Sequence, residues 1–241
     1  MSDEAPLAPF PEDWSSALVV MAHPDDMEYG GAAAVAVWTR AGRRVAYLLV
    51  TRGEAGIDSM PPEEAARVRE AEQRQSAAIV GVGEVEFLDH LDGVIHYGLE
   101  LRRDIAAAIR RHSPEVVVTV NHRETYGGRY LNMADHRWTG LATIDAVRDA
   151  GNRWVFTDLA EAGLDPWQGV RHLAVVASPE PTHAVDVTDT FDLGVASLGA
   201  HRAYLEGLGS PDPEKFLRDG AEAAARRFGG RLAVTFELLG I

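Results

Sequence analysis

An α/β fold, with an open, mostly parallel sheet and helices on both faces, is predicted by three features of the sequence. Short continuous apolar runs, such as Ala17 to Met21 and Val116 to Val120, read as strands buried on both sides rather than strands with one wet face. These runs alternate along the chain with longer segments of helical composition. Acid- and histidine-bearing stretches follow the strand candidates, where the loops of such a sheet converge.

Ala17 to Met21 is the first strand, followed by the polar turn His23 to Glu28. Gly30 and Gly31 open an alanine-rich helix, Ala32 to Arg40, that stops at Gly42. Val45 to Val50 completes a βαβ unit. After the polar loop Thr51 to Met60, Pro61-Pro62-Glu63-Glu64 sets proline and acids in the first turn of a helix running to Val80. Val85 to Leu88 is the third strand, Leu99 to Arg111 a helix, and the valine run Val116 to Val120 the fourth strand. Beyond these lie a helix from His136 to Ala150, strands at Leu173 to Ala177 and Ala184 to Val187, a helix from Thr190 to Leu205, and an outer amphipathic helix from Pro213 to Phe228. The expectation is a Rossmann-like sheet in a single domain spanning residues 1–241, with residues 1–15 as a flexible lead-in and Gly207 to Pro213 as a linker-like stretch.

Composition narrows the function classes. Twenty-three basic against 37 acidic residues leave a formal charge of −14, which repels nucleic acid and anionic membrane surfaces. The N-terminal segment has acids and prolines where a signal peptide needs basic residues and an apolar run, and no apolar stretch approaches the roughly 20 residues of a spanning helix. A cytoplasmic protein without membrane insertion is the expectation, and association into a homo-oligomer stays open. The sequence contains no cysteine, so any metal must be held by His, Asp or Glu.

The chemistry concentrates after the strands. His23 and Asp26 lie three apart on a turn stiffened by Pro24, so an imidazole and a carboxylate can face one centre. Asp135-His136, following the fourth strand, is the best placed source of a third ligand. Two histidines and a carboxylate with an open position form the pattern of a catalytic zinc site, and Asp25 beside them is free to take a proton. Each residue also has a blander use: His-Pro-Asp-Asp as an Asx turn, Asp135 as a helix cap, Arg69 and Glu72 as a surface pair, Asp92-Gly93 as a turn.

The segment MAHPDDMEYGG resembles the signature of the LmbE-like, or PIG-L, family of N-acetylglucosamine deacetylases. TRGEAG, Arg69-Glu70-Ala71-Glu72, Leu88 to Gly93 and Ala134-Asp135-His136-Arg137 follow in the family's order. The resemblance implies an LmbE-like fold, His23, Asp26 and His136 as ligands of Zn2+ or Fe2+, and Asp25 as general base on the activated water. It implies that Glu54, Arg69 and Asp92 bind sugar hydroxyls, that His201 is a catalytic histidine from the C-terminal part, and that the partner is a small N-acylated molecule. Met133 stands where many members carry a second histidine, which leaves His122, Tyr126 and Tyr130 as candidate donors to substrate. Gly127-Gly128 suggests a mobile loop over the site.

The rival readings are weaker. A non-haem iron oxygenase shares the ligand pattern, but its common fold has many short strands instead of alternating helices and strands. A dinucleotide-binding domain lacks its G-x-G-x-x-G after the first strand. An amidase acting on a non-sugar amide and a non-catalytic binding module remain as alternatives to a deacetylase.

Overall fold

The computed structural model describes residues 5–128, 130–209 and 212–241. Residues 1–4 of the expected lead-in and 210–211 of the expected linker lie outside the described residues. The strands are β1 (Ala8–Pro9), β2 (Ser16–Met21), β3 (Arg44–Leu49), β4 (Glu84–Phe87), β5 (Val116–Val120), β6 (His172–Val176), β7 (His183–Asp186) and β8 (Ala233–Leu239). They form one sheet in the order β1-β7-β8-β6-β5-β2-β3-β4, in which β8 runs against both of its neighbours and the other pairs are parallel.

The helices are α1 (Ala32–Arg40), α2 (Pro62–Ile79), α3 (Leu99–His112), α4 (Ala134–Gly151), α5 (Thr157–Glu161), α6 (Phe191–Gly199), α7 (Arg202–Gly207) and α8 (Pro213–Ala225). The first strand shows why both faces need cover: Ala17, Val19 and Met21 enter one hydrophobic core, while Leu18, Val20 and Ala22 enter another. Side chains from α1 and α2 close the first core, and side chains from α3 and α4 close the second. Each fully buried Leu or Val here is worth about 1.5–3 kcal/mol. None of the described helices is long and apolar enough to cross a membrane.

The chain leaves β2 towards β3 and β4 on one side and leaves β5 towards β6 on the other. The carboxyl ends of β2 and β5 therefore flank a switch point, where a crevice opens because successive loops diverge. Helix α4 reaches this crevice because position 140 is glycine. A Cβ there would stand 2.5 Å from the Val120 carbonyl oxygen at the end of β5.

Four expectations change. The segment expected as a flexible lead-in is packed from residue 7 onward: β1 pairs with β7, and Leu7, Phe10 and Trp14 are buried. Its aromatic rings hold it, with Phe10 5.3 Å from both Trp38 and Phe236, and Trp14 5.3 Å from Trp38, between centroids. The helix expected from Thr190 to Leu205 breaks into α6 and α7 at Ala200–His201, where Glu72 of α2 accepts a 2.7 Å hydrogen bond from Ala203 N–H and so begins α7 anew. Strand β8 and the short helix α5 were absent from the sequence reading. Trp14→Ala is expected to cost about 3–5 kcal/mol in urea unfolding; a loss of about 0.5 kcal/mol or less would return the N-terminal segment to a loose lead-in.

Candidate active site

The turn after β2 carries His23 and Asp26, and the first turn of α4 carries His136. Their ligand atoms lie within 4.8 Å of one another. His23 Nδ1 is 3.2 Å from His136 Nε2, and Asp26 Oδ1 is 2.9 Å from the same His136 nitrogen. The turn is fixed locally because Asp26 also accepts a 2.9 Å hydrogen bond from His23 N–H, so the Asx turn and the ligand geometry coexist.

The outer nitrogens decide which way each ring is set. Asn132 donates through its amide to Asn121 O at 2.6 Å and Arg123 O at 2.9 Å, which leaves its Oδ1 facing His136 Nδ1 at 3.1 Å. A proton on His136 Nδ1 has this acceptor ready, with Tyr126 Oη also at 2.5 Å, and leaves Nε2 for the cluster. His23 Nε2 faces Asp92 Oδ1 at 3.0 Å and Asp135 Oδ2 at 3.3 Å, so its proton belongs there. Both rings thus turn a lone pair inward, towards each other and towards a carboxylate. Lone pairs 3.2 Å apart repel unless a proton or a cation lies between them.

Electrostatics points the same way. Burial works against a charged His23, but the Asp26, Asp135 and Asp92 carboxylates outweigh it and hold its pKa well above the ordinary value. Burial would raise Asp26, yet His136 and His23 keep it well below the carboxylate range. The cluster attracts positive charge, and its two imidazoles and one carboxylate suit a divalent cation. A second grouping of His23 with Asp92 and Asp135 is less suited, because those carboxylates accept backbone N–H groups from Ala55, Gly93 and Ile95.

Asp25 sits beside the cluster, buried and in a left-handed conformation at φ +92°. Such a conformation in a non-glycine residue costs roughly 1–3 kcal/mol and needs support from its surroundings. Gln73 accepts the Asp25 N–H at 2.9 Å, and the Gln73 amide is itself oriented by a 3.0 Å bond to Glu28. Arg69 donates to Asp25 Oδ1 at 3.0 Å, to Pro24 O at 2.6 Å and to Gly53 O at 2.8 Å. Glycine at 53 and 56 makes room for it, since a Cβ at either would stand 2.3 or 2.2 Å from the guanidinium. Burial raises the Asp25 pKa well above its ordinary value, with Arg69 opposing the shift.

A cavity of about 690 Å³ opens over these residues. More than half of the chain, residues 18–147, matches the family described as GlcNAc-PI de-N-acetylase, PIG-L. The chain belongs to the PIG-L family. Diacetylchitobiose deacetylase of Thermococcus kodakarensis is 31% identical over 199 residues, covering 80% of this chain and 71% of that protein. The 1D-myo-inositol 2-acetamido-2-deoxy-alpha-D-glucopyranoside deacetylase of Kineococcus radiotolerans is 29% identical over 248 residues, covering 78% of this chain and 68% of that one. Among solved structures, N,N'-diacetylchitobiose deacetylase from Pyrococcus horikoshii, complexed with its inhibitor, matches with a TM-score of 0.85 at 26% identity, over 95% of this chain and 85% of that one.

Of the residues singled out in this PIG-L member, His23, Asp25, Asp26, Arg69, Asp92, Tyr130 and His136 line the cavity. Glu54 does not: its carboxylate accepts the Asp92 N–H at 2.9 Å and braces the neighbouring loop. Arg69 and Asp92, expected on sugar hydroxyls, spend most of their hydrogen bonds on Asp25, His23 and backbone groups. Tyr130 is 76% exposed at the mouth.

His201, expected as catalytic, is fully buried away from the cavity, with its Nε2 3.9 Å from Glu28 Oε2. Burial, with Arg69, lowers its pKa to about 3, while burial raises that of Glu28 to about 7. Asp135 does not cap α4, since its oxygens take the Gly93 and Ile95 N–H groups at 2.7 and 3.2 Å. Asn132 and Gln73 belong to no sequence motif, and the four-residue spacing of Asn132 from His136 is the signal available for it. Asn132→Ala is expected to weaken metal binding about 10–100-fold, measured by competition with a chromophoric chelator. Unchanged affinity would show that the Asn132 bond does not set the His136 ring.

Proposed function

We propose that this chain is a metal-dependent N-deacetylase that hydrolyses the acetamide of an N-acetylated amino sugar or a closely related small molecule. One observation carries the reading: two imidazole nitrogens and the Asp26 carboxylate converge on one point, with a second buried carboxylate, Asp25, beside it. Membership of the PIG-L family and the named activities of the relatives agree with it.

His23, Asp26 and His136 would hold the ion, zinc in the first place and iron(II) as the alternative. A divalent cation bound by such a set polarises a carbonyl and lowers the pKa of water. The remaining work falls to the protein. Asp25 takes a proton from the attacking water and returns it to the amine as the C–N bond breaks, so that water and amide become acetate and a free amine. Its raised proton affinity, caused by burial and limited by Arg69, suits a group that must both accept and release.

Arg69 keeps that carboxylate aimed into the cavity and holds the turn that presents it. Tyr126 lines the cavity with its hydroxyl 2.5 Å from His136 Nδ1, where it helps to set the His136 ring. Tyr130 at the mouth meets the sugar. The cavity, at about 690 Å³, is of a size for a mono- or disaccharide.

Elemental analysis of the purified protein, combined with acetate release from N-acetylglucosamine and its glycosides, tests this function. The native protein is expected to bind one equivalent of metal and release acetate. His136→Ala should lose the metal, whereas Asp25→Ala should keep it and lose at least about 100-fold in kcat. Metal without acetate release from any N-acetyl sugar would direct the activity to non-sugar amides. Absence of stoichiometric metal would overturn the mechanism.

A further inference from the structure

Behind the turn that carries Asp25, the buried polar side chains of Glu28, Gln73, Ser76 and Ser197 form a run of hydrogen bonds from that turn through α2 to α6. Gln73 and Ser76 both donate to one carboxylate oxygen, Glu28 Oε1, at 3.0 Å. Ser197 backs them, with its Oγ 2.7 Å from Ser76 Oγ and donating to Ser76 O at 3.1 Å. None of the four lines the cavity over the metal cluster. The second Glu28 oxygen, Oε2, has no hydrogen-bond partner among the described residues and lies 3.9 Å from His201 Nε2. A buried carboxyl group with one oxygen unpaired costs stability, so the needs of the core do not account for it.

The Gln73 amide fits between Glu28 and Asp25 in one sense only. With its nitrogen donating to Glu28, its oxygen faces the Asp25 N–H at 2.9 Å. Turned over, it would set donor against donor at Asp25 and acceptor against acceptor at Glu28. The turn depends on that Asp25 bond, because a non-glycine residue at φ +92° is held by its surroundings.

We infer that Glu28 is a positioning residue for the hydrolysis, acting on Asp25 through the amide of Gln73. The inference rests on the deacetylase reading, in which Asp25 is the general base. Glu28 touches neither the proposed ligands nor the cavity, so its effect on turnover passes through Asp25. Charge is the rival route, but burial, Arg69, Asp26 and His23 all weigh more on the Asp25 pKa than the Glu28 charge does. Glutamine at position 28 removes the charge and keeps an accepting oxygen, whereas methionine removes both at similar length.

Steady-state acetate release and hydrogen exchange of the Asp25 amide, followed by NMR, test the inference together. Glu28→Met is expected to lower kcat at least about tenfold with KM and metal stoichiometry unchanged, since a base displaced by about 1 Å costs up to about 100-fold. Glu28→Gln should stay within about threefold of the native kcat, because the acceptor is kept. Gln73→Met should match Glu28→Met, and it carries the test should Glu28→Met not fold. Combining the two, or adding Glu28→Met to Asp25→Ala, should cost no more than about a further twofold. Equal losses in Glu28→Gln and Glu28→Met would assign the effect to charge and overturn the inference. Losses that multiply would overturn it too, since they mark a general weakening of the fold.

The exchange is read on the metal-loaded protein without substrate. The Asp25 amide should exchange at least about tenfold faster in Glu28→Met and at the native rate in Glu28→Gln. Native protection in both methionine variants would overturn the inference. A native protein that releases no acetate would refute the deacetylase reading, and the exchange rates would still decide whether Glu28 holds the turn.

Discussion

Two imidazole nitrogens, His23 Nδ1 and His136 Nε2, face each other across 3.2 Å, held in place from outside by Asn132 on one ring and by Asp92 and Asp135 on the other, and the rest of the site depends on this constraint. Without a cation the surrounding carboxylates favour a second proton on His23, between the two rings, and a metal ion would take that place; moving either outer proton inward instead would break a buried hydrogen bond. A buried acceptor left without its donor costs about 1–3 kcal/mol. The fold supplies this arrangement from two sources, the turn after β2 and the start of α4, which the switch point of the sheet brings together. Gly140 lets α4 approach β5 closely enough for the two to meet.

The second layer of the site is organised around Asp25. A carboxylate in a left-handed backbone position, buried next to another carboxylate, would be unstable on its own. Gln73 holds its N–H, Arg69 holds its oxygen, and Tyr204 stacks over the guanidinium with 4.1 Å between the charge centre and the ring. Arg69, expected to grip substrate, thus stiffens the turn that carries Asp25. The cavity is lined by tyrosines and apolar side chains besides these polar groups, in keeping with sites that have mostly apolar walls and few polar anchors.

The parallel βα part of the fold was legible because its strands are buried on both faces and therefore read as unbroken apolar runs, as in Leu18 to Met21 and Val116 to Val120. Strand β8 was not legible in the same way: Thr235 and Glu237 interrupt its apolar residues, and Glu237 is tolerated inside only because Arg123 and Ser178 pair with it at 2.6 Å. The N-terminal segment looked loose because its burying residues, Leu7, Phe10 and Trp14, are too far apart to form a pattern and acquire meaning only against Trp38 and Phe236. In the site, the residues that converge on one point were marked by a dense local motif. The bracing residues, Asn132, Gln73 and Glu28, are ordinary polar side chains whose roles depend on three-dimensional partners. The burial of His201 outside the cavity lining was not legible, because sequence gives the identity of a side chain and not the wall behind which it is buried.

Anomalous diffraction at a metal absorption edge, on crystals of the purified protein, shows where a metal is held. A single strong peak is expected about 2.0–2.2 Å from His23 Nδ1, Asp26 and His136 Nε2. A peak at the surface group of Glu84, Glu86 and His112, or between His23, Asp92 and Asp135, would contradict it. So would a fully ordered site in which the two imidazoles share a proton and no metal peak is present.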